Sequence, residues 1–171
     1  MSSTETVRPI VLVGAPGSGK STVGKLLAAE LGREFLDVDT AIEERAGKPI
    51  SEIFVDDGEP AFRALEGATT LELLDRPALV LSLGGGSVLS ATIRQALTEH
   101  YVVWLQVSAG TAADRVGLST ARPLLLGNVR GRLIQLLNQR TPLYAEVASL
   151  PVTTDDLTAD EVVALIVREL T

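Results

Sequence analysis

The stretch Gly14-Ala15-Pro16-Gly17-Ser18-Gly19-Lys20-Ser21 constrains this chain more than any other, because it fits G-x-x-x-x-G-K-[ST] between a strand-like run and a helix pattern. The run before it, Ile10-Val11-Leu12-Val13, is short, apolar and rich in β-branched residues, as in a strand buried on both faces. After it, Val23, Leu26, Leu27 and Leu31 recur at helical spacing, and Gly32 follows as a C-cap. Glycines let successive backbone N–H groups turn inward around phosphate oxygens, and the helix that follows offers its positive N-terminus. In this reading Lys20 reaches the β- and γ-phosphates of a nucleotide, and the Ser21 hydroxyl ligates Mg²⁺.

The rest of the chain repeats the alternation. Glu34 to Asp39 reads as a second strand, Ala78 to Leu83 as a third, Tyr101 to Val107 as a fourth and Leu150 to Thr153 as a short fifth. Helical patterns fall between them. Thr40-Ala41-Ile42-Glu43 is a capping-box pattern, Ser51 to Asp57 a short piece, and Glu59-Pro60 opens a longer helix. Ser90 to Thr98, Thr111 to Val116, Leu133 to Arg140 and Ala159 to Leu170 are also helical in pattern. Gly117 to Arg130 reads as irregular, a candidate lid. Strands separated by helices predict an α/β fold with a parallel sheet, whose ligands lie beyond the carboxyl ends of the strands. The 171 residues read as a single domain, 1–171, without a repeat or an interdomain linker.

Composition narrows the function. The formal net charge of −7 argues against a broad footprint for nucleic acid or anionic lipid. There is no cysteine, which excludes disulfides and thiolate metal sites. Met1 to Thr6 is polar and lacks a signal-sequence pattern, and no apolar run approaches the roughly 20 residues of a bilayer span. A cytoplasmic protein without a membrane or nucleic-acid partner is expected. A guanine-nucleotide switch would need an Asn-Lys-x-Asp motif, which the chain lacks. A motor or transporter ATPase would need more chain and an acid closing the third strand, where Ser82 stands.

Several further motifs follow in order: Asp37-x-Asp39, Gly58-Glu59-x-x-Phe62-Arg63-x-x-Glu66, Gly84-Gly85-Gly86, Thr120-x-Arg122-Pro123-Leu124-Leu125 and Arg140-x-Pro142-x-Tyr144. With the phosphate loop, this order and spacing resembles the shikimate kinases over roughly residues 8 to 170. The resemblance implies a P-loop kinase of the nucleoside monophosphate kinase type, with a five-stranded parallel sheet of order 2-3-1-4-5 and a lid at about 117–130. It implies transfer of the γ-phosphate of MgATP to the 3-hydroxyl of shikimate, and the compact chain suggests a monomer. A gluconate-type sugar-acid kinase and a non-catalytic nucleotide-binding module are the alternative readings.

Asp37 and Asp39, two apart in a strand, are expected on one face. The resemblance puts Asp37 near Mg²⁺ and Asp39 on the substrate hydroxyls, where a carboxylate can orient the attacking group and accept its proton. The alternative is that one of the pair caps the next helix. Arg63 and Glu66 form an i,i+3 pair that alone would read as a surface ion pair. The resemblance instead makes Arg63 a carboxylate-binding group supported by Glu66, with Arg140 as its partner. Gly84, Gly85 and Gly86 allow backbone to approach a ring closely. Arg122 is expected to stabilise charge from the lid and Arg115 to stack on adenine. The ATP-binding set is thus Gly17, Ser18, Gly19, Lys20, Ser21, Thr22, Arg115 and Arg122. Phe54 and Phe62 read as core, with pocket walls as a second role.

Overall fold

The apolar runs become the strands β1 (Ile10–Val13), β2 (Glu34–Asp37), β3 (Leu79–Ser82), β4 (Tyr101–Gln106) and β5 (Leu150–Thr153). The computed structural model describes residues 8–120 and 126–170, and the side chains among these other than those of 116–120 and 126–130. Every strand pair is parallel, and the order is β2-β3-β1-β4-β5, as expected. β1 and β3 are buried at every position, which explains the apolar runs Ile10 to Val13 and Leu79 to Leu81, with Ser82 buried at the end of β3.

The helices are α1 (Lys20–Leu31), α2 (Val38–Ala46), α3 (Ile50–Asp57), α4 (Glu59–Leu74), α5 (Ala91–Leu97), α6 (Ala109–Thr120), α7 (Leu126–Val147) and α8 (Ala159–Leu170). A 3-10 turn spans Ser87–Leu89. Alternate strand residues feed two separate cores, as the period-2 geometry of strands requires. Val11, Val13, Leu81 and Val102 join Ile42, Phe62, Ile93 and Tyr144 on one face, under α2, α4, α5 and α7. Ile10, Leu12, Val80 and Val103 join Leu27, Val162 and Ile166 on the other, under α1 and α8. The chain is therefore a three-layer sandwich with the sheet in the middle.

Three local expectations are corrected. The second strand ends at Asp37, and Asp39 is helical. The cause is the Asp37 side chain, whose Oδ1 accepts from the Asp39 and Thr40 backbone N–H groups at 2.9 and 3.2 Å, starting α2 at once. Thr40 is thus inside the helix rather than at its cap, and Glu43 instead accepts from the Ile50 N–H at 2.9 Å. The last two corrections concern the segment from 109 to 147. α6 runs to Thr120 and α7 starts at Leu126, so the stretch expected to be irregular is helical at 117–120 and at 126–130, and 121–125 lies outside the described residues. α7 also continues through Pro142, well past Arg140. A proline inside a helix costs about 3 kcal/mol. Burying Tyr144 and Val147 beyond it offsets this, at roughly 1.5–3 kcal/mol each.

Candidate active site

The carboxyl ends of β1, β2 and β3 deliver three segments to one place. Beyond β1 the phosphate loop turns into α1, with Gly19 as N-cap at φ 91°, a left-handed conformation that a side chain would strain. The Lys20 ammonium folds back over the loop and donates to the carbonyls of Gly14 and Ala15 at 2.7 and 3.2 Å. Beyond β2, Asp37 and Asp39 face it. A cavity of about 370 Å³ is lined by Lys20, Ser21, Asp37, Asp39, Gly84 and Gly85, among others. The two aspartates therefore meet in one cavity although they do not share a strand.

Asp37 divides its carboxylate. Oδ1 is engaged by the α2 backbone, while Oδ2 accepts from the Ser21 hydroxyl at 3.3 Å. Asp39 is more deeply set. Burial first, then the charges of Asp37 and Glu66, raise its carboxyl to about 6, with Lys20 pulling the other way. Burial lowers the Lys20 ammonium to about 8, with Arg140 adding to the fall and Asp39 and Asp37 opposing it. Asp39 Oδ1 and Arg140 Nε are buried with no hydrogen-bond partner among the described residues. Such atoms are rare in cores and common where a ligand completes the set.

The glycine run explains how these groups converge. A Cβ on Gly84 would stand 2.8 Å from Asp39 Oδ1, and one on Gly85 3.4 Å from an Arg140 terminal nitrogen. On Gly86 it would stand 2.7 Å from both terminal nitrogens of Arg63. Three successive bare backbone positions thus make room for three polar side chains from α2, α7 and α4.

Arg63 is held on several sides. Its Nη1 donates to Glu66 Oε1 at 2.9 Å, Glu59 lies 3.5 Å from its Nε, and the guanidinium lies 5.3 Å from the Phe62 ring centroid. Glu66 is 1% exposed, so this is not the solvated pair that the spacing alone suggests. Its other oxygen accepts from the buried Ser87 hydroxyl at 3.2 Å, which keeps the buried charge satisfied. Phe62 is core, and Phe54 packs on it at 4.7 Å with 37% of its surface exposed.

A second cavity, of about 250 Å³, meets the first at Gly19 and Thr22 and is also lined by Ser18, Arg115, Thr154, Leu157 and Val162. Arg115 donates to the Gly17 carbonyl at 2.9 Å and to Thr154 Oγ1 and O at 3.4 and 3.3 Å, tying the phosphate loop to the end of β5. Arg122 lies outside the described residues. Residues to which sequence reasoning gave no role are Ser87 and above all Tyr144, whose hydroxyl donates to the Gly85 carbonyl at 2.6 Å. The signal for Tyr144 was its place in the Arg140-x-Pro142-x-Tyr144 motif, one helical turn after Arg140.

Comparison with known proteins finds relatives over nearly the whole chain. A family model described as shikimate kinase matches residues 16–171. A shikimate kinase of Thermobifida fusca (strain YX) is 52% identical over 164 residues, covering 95% of each chain. One from Salinispora tropica is 54% identical over 151 residues, 88% of this chain and 90% of that one. Among solved structures, shikimate kinase from Acinetobacter baumannii in complex with shikimate superposes with a TM-score of 0.89 at 40% identity. It covers 97% of this chain and 94% of that one.

Proposed function

The chain belongs to the shikimate kinase family, and on that premise we propose that it transfers the γ-phosphoryl group of ATP to the 3-hydroxyl of shikimate, giving shikimate 3-phosphate. The observation that carries this is the Gly84–Gly86 ribbon, on which Asp39, Arg140 and Arg63 pack beside the Lys20 loop. Shikimate offers one carboxylate and three hydroxyls, and two guanidiniums with one carboxylate complement them.

The second cavity takes the adenine side of the nucleotide, and the phosphates lie along Gly17 to Thr22. Lys20 faces the transferring phosphoryl group, whose loose transition state needs positioning and charge stabilisation more than a strong base. Asp39 orients the 3-hydroxyl and accepts its proton as the new P–O bond forms. Arg63 and Arg140 grip the carboxylate and so fix which hydroxyl faces the phosphate. The family resemblance adds Arg122, contributed from 117–130, as a further cation near the phosphates.

Ser21 Oγ and Asp37 Oδ2 fit a magnesium ion: both are hard oxygen donors, 3.3 Å apart, at the mouth of the phosphate loop. Among the described residues no group of three or more His, Cys, Asp or Glu could cage a metal, which suits an ion shared with phosphates. Bound there, Mg²⁺ supplies charge neutralisation on the phosphate oxygens. Among the described residues no helix is long and apolar enough to cross a membrane. The reading extends to a cytoplasmic enzyme with no nucleic-acid or membrane partner, supported by the net charge of −7. It is also taken to be a monomer, since one chain supplies every group named here.

The test is ADP release by purified protein with MgATP and shikimate, gluconate or no acceptor. Release that requires shikimate and Mg²⁺ is expected. A folded, ATP-binding protein with no shikimate-dependent release would overturn the assignment.

The pH dependence should separate the two substrates. Asp39 must be ionised to take a proton, so kcat/KM for shikimate is expected to rise as pH climbs through about 6. Lys20 must be protonated to meet phosphate, so kcat/KM for ATP should fall as pH climbs through about 8. Bound phosphates favour the charged ammonium, so kcat should lack that upper limb. Identical profiles for the two substrates would contradict these roles.

Gly86→Ala is expected to leave the fold intact while weakening shikimate binding at least about tenfold, as expected for disturbing a charge-assisted pair. The three atoms nearest the added methyl group, from 2.7 Å, all belong to the flexible end of Arg63, which can yield but loses its place. Calorimetric titration with shikimate checks this, and normal affinity would show that the seat of Arg63 does not matter.

A further inference from the structure

Tyr144 is 1% exposed, and its ring is fixed in the core by Trp104, with centroids 5.9 Å apart. Its hydroxyl reaches across 59 positions of sequence to the Gly85 carbonyl at 2.6 Å, and the Arg140 charge acts on the same side chain. Arg140 sits one turn earlier on α7 and lies against Gly85.

A trans peptide unit is planar, so the Gly85 carbonyl and the Gly86 N–H point in opposite directions. Between two glycines that unit can turn over at little steric cost, because both residues accept either sign of φ. The two orientations differ chemically. With the carbonyl tied to the core, the N–H is directed away from it, and a donor is presented to an acceptor rich in carboxylate and hydroxyl oxygens. With the unit reversed, an oxygen would face those oxygens and repel them.

The geometry points to Tyr144 as a positioning residue for shikimate: by holding the Gly85 carbonyl in the core it keeps the Gly85–Gly86 peptide donor-outward, and it ties that donor to the helix that carries Arg140. This rests on the reading of the site as a shikimate kinase. The hydroxyl acts on the acceptor side alone, since the ATP-side contacts run through α1, Arg115 and β5.

Tyr144→Phe removes the hydroxyl and keeps the ring. The expected result is a shikimate Kd by calorimetry about three- to tenfold higher, the range for one lost hydrogen bond. The ATP Kd should change by less than about twofold, and KM for shikimate should rise more than kcat falls. Unchanged shikimate affinity in a folded Tyr144→Phe protein, whatever its Tm, would overturn the proposal. Should the variant not fold, the wild-type enzyme decides: the Gly86 amide resonance must shift when shikimate is added, and a stationary resonance overturns it. A wild-type protein that binds no shikimate would instead refute the kinase reading, and this inference with it.

Discussion

Lys20→Met is expected to lower kcat by about a hundred- to a thousandfold, the range for removing one preorganised charge donor from a transition state. Methionine keeps the length and apolar stem of lysine but has no ammonium. Lys20 is held over the loop by two backbone carbonyls, at 2.7 and 3.2 Å, so its charge is already oriented before ATP arrives. The substitution also strips the cavity of a cation that faces Asp37 and Asp39. Because Lys20 is the group that pulls the Asp39 carboxyl down, its loss should move that carboxyl above about 6, and the acid limb for shikimate should shift to higher pH with it. Steady-state kinetics across pH, with shikimate titrations to confirm an intact acceptor side, measure both effects. A kcat within about fivefold of the parent would contradict the role given to Lys20.

Asp39→Asn is the other large effect, a fall in kcat of about a hundred- to ten-thousandfold, the usual contribution of a positioned proton acceptor. Asparagine has nearly the same shape and can still accept a hydrogen bond, but it cannot take a proton. Its seat is tight, because Gly84 leaves only the space of a missing Cβ beside Oδ1. The acid limb near pH 6 should vanish from kcat/KM for shikimate, while nucleotide affinity stays near that of the parent. A loss below about tenfold, with the limb intact, would reduce Asp39 to a group that merely orients the hydroxyl.

What the sequence could reveal followed the range of the interactions. The phosphate loop is a local device, and strand, loop and helix were readable from adjacent residues. The strand order came through the resemblance to shikimate kinases, since nothing in a single strand says which neighbour it will pair with. Asp37 and Asp39 were placed in a strand because alternating residues fit one. The deciding contact was a side chain capturing the N–H groups two and three residues ahead, the capping alternative that the alternating pattern had outweighed. Arg63 and Glu66 alone looked like a surface pair, because burial of Glu66 depends on Ser87, which stands on a distant segment. The role of Tyr144 was hidden for the same reason: its partner is a backbone carbonyl in another part of the chain, and any residue could have supplied it.

The two-sided core has a further consequence. Side chains proposed to hold the acceptor come from α2, α4 and α7, all packed on one face of the sheet, while α1 and α8 pack on the other. The second cavity takes Thr22 and Val23 from α1 and Ala159 and Val162 from α8. The sheet therefore works as a partition between the phosphoryl donor's supports and the acceptor's. Changes confined to one layer could exchange the molecule that receives the phosphate while the layer gripping the nucleotide stays as it is. A single ancestral ATP-holding half could in this way serve many acceptors, each written into the opposite layer.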